Sequence, residues 1–149
     1  MKVAVIGPGA MGCLFAAKLA KSGIQTTLVD YRPERATRLQ KSGITVDEQA
    51  GPFTAKPTVS SRMPDGQHLI IVLTKAHSLK NLQFRDSCPI LTLQNGLGNI
   101  ELLCSMVGSA RVLAGMTCEA STLLSDGHVK HVAPGETTIG SWTSCPPKA

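Results

Sequence analysis

The fold of this chain is decided by residues 2–14, KVAVIGPGAMGCL. Residues 3–6, Val-Ala-Val-Ile, are a short apolar run rich in β-branched side chains, which predicts a strand buried on both faces. Three glycines follow in the spacing Gly7-x-Gly9-x-x-Gly12, and an apolar helical pattern begins after them. Glycines in such a turn permit a sharp exit from the strand, close approach of a pyrophosphate and tight helix–strand packing. The stretch therefore predicts a dinucleotide-binding turn.

The residues after this turn supply the context that such a fingerprint needs. A helix is predicted from Ala10 to about Lys21, and Gly23 ends it. Residues 25–29 then predict a second strand, and Asp30 stands at its end. An acidic residue at that position takes the ribose hydroxyls in dinucleotide-binding folds. The alternative interpretation is a glycine-rich strand–helix turn that binds nothing.

Basic residues beside Asp30 give a conflicting signal about the ligand. Arg32 and Arg35 lie next to the place where an adenosine ribose would sit, at the start of a second predicted helix over residues 33–41. A 2′-phosphate would be attracted by these arginines, whereas Asp30 would repel it. Both arginines are also compatible with an ordinary solvated helix start, so the residues alone leave the choice open.

Two further strand ends carry polar residues. Residues 69–73, Leu-Ile-Ile-Val-Leu, predict the most hydrophobic strand, which belongs in the sheet centre, and Lys75 follows it. Residues 90–93 predict the next strand, and Asn95 follows that one in an Asn-Gly turn. Open α/β sheets bind ligands at the carboxyl ends of their strands, so Lys75 can meet a phosphate or carboxylate and Asn95 a polar group. An exposed lysine and an ordinary turn are the alternatives.

Two hairpins are predicted among the remaining segments. One joins residues 53–55 to 58–59, and the other joins residues 128–132 to 137–139 around a Pro-Gly turn. The predicted fold class is therefore α/β, a Rossmann-type doubly wound and mostly parallel sheet with antiparallel strands at the C-terminal end. Residues 1–141 are predicted to form this domain.

The composition limits the classes of function. The 149 residues are 42% hydrophobic with a net charge of +5, and no apolar run approaches the roughly 20 residues that span a bilayer. Lysines and arginines are scattered and aromatic residues make up only 3%, so neither a nucleic-acid partner nor a membrane partner is expected. Five irregularly spaced cysteines favour a reduced, cytoplasmic protein, and no zinc-site spacing occurs, so no metal site is expected.

These residues together resemble the N-terminal half of the ketopantoate reductase (2-dehydropantoate 2-reductase) family. The resemblance runs through nearly all of the chain. It rests on the glycine turn at residues 7–12, Thr74-Lys75-Ala76, the stretch QNGLGNIE at residues 94–101, and residues 127–140 with GETTIG at their end. Many dehydrogenases share the glycine turn, whereas the later motifs in this order are more specific.

The resemblance implies an activity and roles for individual residues. That family reduces 2-dehydropantoate, a 2-keto acid, to pantoate by hydride transfer from NADPH, in the route to pantothenate and coenzyme A. The implied catalytic residues are Lys75, which lines the cleft, and Asn95, which lies beside the nicotinamide. The implied cofactor contacts are Gly7, Pro8, Gly9, Ala10, Met11, Gly12, Asp30, Tyr31, Arg32, Thr74, Lys75, Asn95 and Gly96.

The chain also departs from the family's pattern. The family's general-acid lysine belongs to a helical C-terminal domain, so residues 142–149 are interpreted as a linker towards a domain absent from this chain. Tyr31 stands where the family usually carries an arginine for the 2′-phosphate, so NADP(H) is favoured by resemblance and NAD(H) stays open. The alternatives are a related 2-keto or hydroxy acid dehydrogenase and a stand-alone Rossmann nucleotide-sensing module. An exposed sheet edge would favour a homo-oligomer.

Overall fold

Eleven strands and three α-helices form within residues 1–142, the part of the chain that the computed structural model describes. In chain order they are β1 (Lys2–Ile6), α1 (Ala10–Lys21), β2 (Gln25–Val29), α2 (Pro33–Ser42), β3 (Ile44–Asp47), β4 (Phe53–Ala55), β5 (Thr58–Ser60), β6 (Leu69–Val72), β7 (Ile90–Thr92), α3 (Asn99–Val107), β8 (Val112–Thr117), β9 (Ala120–Ser125), β10 (His128–Ala133) and β11 (Thr137–Ser141). Short 3-10 helices at Ala76–Asn81 and Ser109–Arg111 complete the list.

The central sheet has seven strands in the order β11-β8-β7-β6-β1-β2-β5. All neighbouring pairs are parallel except β11 with β8, which is antiparallel. The six parallel strands repeat the strand order of a doubly wound nucleotide-binding sheet, with β1 beside the point where the order reverses. The predicted fold class is therefore confirmed, and β6 lies at the sheet centre as expected.

The core lies on both faces of this sheet. Residues Val3 to Ile6 of β1 are completely buried, because helices cover the sheet above and below them. One face packs Val3, Val5 and Leu14 together, and the other packs Ile6, Ile70 and Leu103. A strand buried on both faces needs apolar residues at every position, which is why the run lacks a polar–apolar alternation.

A second sheet of four strands, in the order β4-β3-β10-β9, contacts helix α1. The side chain of His131 on β10 bonds the Glu119 carboxylate at the start of β9. Lys18 of α1 donates to the same carboxylate over 3.3 Å. The contacts join the second sheet to the helix that follows the glycine turn.

The hairpin predicted for residues 53–59 is wrong. β4 pairs with β3 in the second sheet, whereas β5 pairs with β2 in the central sheet. Only Lys56 and Pro57 connect the two strands. A type I′ hairpin turn needs a positive φ at both central residues, which Pro57 cannot adopt, and a type II′ turn favours glycine at the first, where Lys56 stands. The connection therefore suits a passage from one sheet to the other.

The hairpin predicted around Pro134 and Gly135 is also wrong. β10 pairs with β9 and β3, whereas β11 crosses to the central sheet and pairs with β8. The crossing runs close to Cys118, since a Cβ placed on Gly135 would lie 2.4 Å from the Cys118 carbonyl carbon. The Cys118 amide donates to the carbonyl of Glu136 over 2.9 Å, which fixes the crossing.

The described part of the chain ends at Trp142. Its backbone N–H donates to the carbonyl of Val112 over 3.1 Å, and its side chain packs against the core beneath α3. The other residues of the predicted linker, 143–149, lie outside the described residues. Among the helices of the described part, none has both the length and the apolar character that crossing a membrane requires.

Candidate functional site: a glycine-lined cleft

Two glycines allow the turn between β1 and α1 to form. Gly7 has a φ of +107°, and a Cβ there would lie 2.8 Å from the backbone nitrogen of Thr74. A Cβ on Gly12 would lie 1.7 Å from the carbonyl oxygen of Gly7. No side chain fits at either distance, so glycine at both positions is what brings helix α1 against the end of β1.

Gly9 has a different role, because it faces open space. It is the N-cap of α1, with an extended backbone (φ −78°, ψ −172°), and a Cβ there would meet no atom within 4 Å. Its carbonyl accepts the first helical hydrogen bond from Cys13 over 2.9 Å. The first turn contains no acidic residue, and Gly9 has no side chain to cap its amides. Such a helix end carries partial positive charge and binds anions.

The turn forms one wall of a cleft of about 530 Å³ at the carboxyl ends of β1, β2 and β6. Eight of the predicted site residues line it, and these are Gly7, Pro8, Gly9, Asp30, Tyr31, Arg32, Thr74 and Lys75. Arg35 of α2 also lines it, as do residues of the 3-10 helix Ala76–Asn81 and Leu123 of the second sheet. The predicted residues that do not line the cleft are Ala10, Met11, Gly12, Asn95 and Gly96.

Asp30 is buried and its carboxylate is already bonded. One oxygen, Oδ1, accepts from the backbone N–H of Arg32 at 3.1 Å and from Nη2 of Arg35 at 2.9 Å. The other oxygen accepts from Nε of Arg35. This bidentate hydrogen bonding raises the pKa of Arg35, so the guanidinium stays charged and compensates the carboxylate.

Tyr31 and Arg32 are the exposed residues at the end of β2. Burial of part of its ring raises the pKa of the Tyr31 phenol, which is therefore neutral at physiological pH. Tyr31 also borders a neighbouring cleft of about 540 Å³ that contains Arg62 and Arg85, both exposed. The end of β2, where the adenosine is predicted, thus carries an exposed aromatic ring and an exposed arginine, and two further arginines line the adjoining cleft.

Lys75 lines the cleft where the chain leaves β6. It is exposed and is the N-cap of the 3-10 helix. The residue before it, Thr74, is held by Gln94 from the neighbouring strand end. The Gln94 Nε2 atom donates to the Thr74 carbonyl oxygen at 2.8 Å and to the Thr74 hydroxyl at 3.2 Å. The two polar turns predicted from the sequence are therefore linked directly.

Asn95 is exposed in the second of these turns, and a buried asparagine holds its backbone. The side chain of Asn99, only 5% exposed, donates to the Asn95 carbonyl oxygen at 3.0 Å. Gly96 and Gly98 adopt positive φ angles of +99° and +84°, which lets the turn curl over the start of α3. This arrangement leaves the Asn95 side chain free to face solvent.

Four residues that shape the site were not predicted as site residues. Gln94 and Asn99 belong to the stretch QNGLGNIE at residues 94–101, and their positions on either side of the turn were the available signal. Arg35 was considered only as a possible contact of a phosphate, and not as the partner of Asp30. Leu123 reaches the cleft from the second sheet, and nothing local in the sequence points to it.

The observed turn fits a dinucleotide diphosphate. Gly7 and Gly12 stand where the backbone is too crowded for a side chain, and Gly9 leaves the start of α1 uncovered on the side that faces the cleft. The strand order, the glycine turn and the position of the cleft together define a Rossmann-type nucleotide-binding domain.

Within that class, the chain belongs to the ketopantoate reductase PanE/ApbA family, which it matches over residues 3–144. The 2-dehydropantoate 2-reductase of Halobacterium salinarum is 33% identical over 95% of this chain and 50% of that relative. The chain spans about half the length of the curated relatives it matches. The resemblance inferred from the motifs is thus confirmed.

Solved structures agree with this assignment. The 2-dehydropantoate 2-reductase from Geobacter metallireducens GS-15 superposes with a TM-score of 0.83 and 27% identity, over 96% of this chain and 50% of that one. A ternary structure of D-mandelate dehydrogenase with NADH and anilino(oxo)acetate gives a TM-score of 0.86 and 26% identity, over 95% of this chain and 49% of that one.

Proposed function

We propose that this domain binds NADP(H) in the cleft and that the protein it belongs to reduces a 2-keto acid, 2-dehydropantoate, to pantoate. The observation that carries the proposal is the bare helix end at Gly9, which faces the cleft and has open space around it. The family match over residues 3–144 supports the reaction type, and the NADH-bound neighbour supports a nicotinamide cofactor.

The chain offers separate places for the two ends of such a cofactor. The amides at the start of α1 would hold the diphosphate, since they carry the positive end of the helix dipole. Tyr31 and Arg32 would hold the adenosine end, and Lys75 stands at another part of the cleft wall. When bound, the nicotinamide supplies the hydride of the reduction.

The charges at the end of β2 favour NADP(H) over NAD(H). Within the described residues the Arg32 side chain makes no ion pair, and its guanidinium is exposed beside the cleft. The negative charge of Asp30 is compensated by Arg35. A 2′-phosphate would therefore meet an available cation, rather than the free carboxylate that the sequence alone suggested.

Lys75 is the residue best placed to act on the substrate. A 2-keto acid carries a carboxylate, and its carbonyl oxygen gains negative charge as it becomes an alkoxide. A cation at the cleft wall would attract the carboxylate and stabilise the developing alkoxide. Asn95 lies outside the cleft lining, in the turn that Gln94 joins to Thr74, and its side-chain donor and acceptor would orient the same substrate from there. The Gln94–Thr74 bonds hold the two turns in a fixed relation for this purpose.

A second candidate function is reduction of an aromatic or otherwise larger 2-keto acid. The D-mandelate dehydrogenase neighbour superposes with this chain as well as the reductases do. Rossmann domains of related enzymes are similar, whereas substrate choice depends on the residues around the keto acid. This candidate differs from the first in its substrate and keeps the cleft and the hydride chemistry.

Titration with NADPH, followed by nicotinamide fluorescence, tests the cofactor part of the proposal. We expect saturable binding with a Kd below about 1 mM, which corresponds to about 4 kcal/mol. Absence of saturation in that range would contradict the proposal. A panel of 2-keto acids assayed with the whole protein then separates the two candidates. The first requires 2-dehydropantoate to have the highest kcat/KM, and the second requires an aromatic keto acid to exceed it.

A further inference from the structure

The carboxylate of Asp30, at the end of β2, is shielded from the cleft by the residues that donate hydrogen bonds to it. The side chain of Asp30 is only 2% exposed, although the residue lines the cleft. Both of its carboxylate oxygens accept hydrogen bonds from Arg35, and one of them also accepts from the backbone of Arg32. In a doubly wound fold, an acidic residue here ordinarily accepts from the ribose hydroxyls of the cofactor.

Arg35 is itself held from two sides. Its Nη1 atom lies 3.8 Å from a carboxylate oxygen of Asp126, in the turn between β9 and β10. Asp126 is held in turn by Arg38, at 2.7 Å. The guanidinium of Arg35 is thus positioned by the second sheet as well as by its own helix, and it stays on Asp30.

This arrangement changes what the cleft presents to a ribose. With Arg35 in place, three of the roughly four acceptor positions of the Asp30 carboxylate are occupied and its charge is compensated. The carboxylate is then a poor acceptor for a 2′-hydroxyl and repels a 2′-phosphate little. Without Arg35, the same carboxylate would be an uncompensated anion beside Arg32. It would accept from the hydroxyl of NAD(H) and oppose the phosphate of NADP(H).

We propose that Arg35 determines the choice between NADP(H) and NAD(H) by binding and neutralising Asp30. Arg35 is a positioning residue, since it acts through the carboxylate. This inference rests on the proposed function, because it requires that the cleft bind a nicotinamide dinucleotide. The cofactor preference is thereby attributed to the ion pair between Arg35 and Asp30, both within this domain.

The test compares the Kd values of NADPH and NADH for the purified protein and its variants by nicotinamide fluorescence. We expect the unmodified protein to bind NADPH at least tenfold more tightly. Arg35→Ala should lower that preference at least tenfold and tighten NADH binding. The double variant Asp30→Asn/Arg35→Ala removes the freed carboxylate and should restore the preference for NADPH. Lys41→Ala, which removes another exposed cation of α2 that contacts neither Asp30 nor Asp126, is the matched control and should leave the ratio within twofold.

If Arg35→Ala does not fold, Arg35→Lys replaces it in the test, because lysine retains the positive charge but loses the bidentate contact. We expect an intermediate ratio for it. Ratios that stay within twofold of the unmodified protein in every folded Arg35 variant would overturn this inference alone, as would equal weakening of both cofactors. If the unmodified protein binds neither cofactor, the proposed function fails and the inference fails with it.

Discussion

The side-chain amide of Gln94 donates a hydrogen bond of 2.8 Å to the carbonyl oxygen of Thr74. The bond joins the turn after β7 to the turn after β6, and these turns carry Asn95 and Lys75. Neighbouring parallel strands would place the two turns on the same edge in any case. The Gln94 bond fixes how they sit relative to each other.

Gln94→Glu should weaken both folding and cofactor binding. The substitution keeps the side-chain shape but places an acceptor against the carbonyl of Thr74, and a partly buried polar group without its partner costs about 1–3 kcal/mol. Urea unfolding and NADPH titration measure the two effects. Gln25→Glu is the matched control, because Gln25 is exposed at the opposite end of the sheet. If the two variants have equal free energies of unfolding and equal affinities for NADPH, the Gln94 bond does not organise the site.

Gly12→Ala should destabilise the fold severely. The new Cβ would lie 1.7 Å from the carbonyl oxygen of Gly7, so α1 must move away from β1 and lose its packing on one face of the central sheet. Overpacking of this kind costs about 3 kcal/mol. The measurement is the free energy of unfolding in urea. A loss under about 0.5 kcal/mol would mean that α1 and β1 do not approach each other as described.

Much of this architecture could be predicted because its signals are local. The apolar run Val3 to Ile6, the glycine spacing after it and the breaks at Gly23 and Gly43 are each readable within a few residues, and the central sheet follows from them. The failures concern which strands pair. The residues of β4, β5, β10 and β11 were recognised as strands. The pairing failed because the chain passes between two sheets, and a short connection usually signals a hairpin.

The site was predictable to a similar extent. Gly9, Tyr31 and Lys75 line one cleft as the sequence motifs predicted, whereas the predicted contacts Asn95 and Gly96 do not line it. The role of Asp30 was not readable, because its position at the end of β2 is local information whereas its bonding depends on Arg35 and on the distant Asp126. A carboxylate that serves a ribose and one that serves an arginine look the same in a sequence.

Lys75→Met should lower the rate of keto acid reduction by the whole protein. Methionine keeps most of the side-chain length but removes the charge that would stabilise the developing alkoxide, and loss of one such group typically costs 10²–10³ in kcat. Lys80→Met is the matched control, since Lys80 is exposed on the same 3-10 helix and does not line the cleft. Steady-state assays with 2-dehydropantoate compare the two. If kcat is unchanged in Lys75→Met, the role assigned to Lys75 is wrong.

Stability should fall at alkaline pH through Cys13. Burial raises the pKa of its thiol from 9.0 to about 12. Above pH 9 the unfolded chain loses this proton while the folded chain keeps it, so the thiol's contribution to stability, complete below pH 9, decreases as the pH rises towards 12. The slope is at most about 1.4 kcal/mol per pH unit.

Urea unfolding at pH 8 and pH 10.5 measures this effect. We expect the unmodified protein to lose about 2 kcal/mol more over this interval than Cys13→Ala does. Cys118→Ala, which removes an exposed thiol, should behave like the unmodified protein. If Cys13→Ala shows the same pH dependence as the other two, the Cys13 thiol titrates normally and is not buried as described.

The most direct test of the central claim is NADPH binding by Gly9→Val. The extended backbone at Gly9 suits any residue, and a Cβ there meets no atom within 4 Å, so the variant should fold with an unchanged melting temperature. Its side chain would occupy the space in which the diphosphate meets the start of α1. We predict saturable NADPH binding for the unmodified protein and none up to about 1 mM for folded Gly9→Val. Equal affinity of the two proteins for NADPH would contradict the placement of the cofactor at this turn.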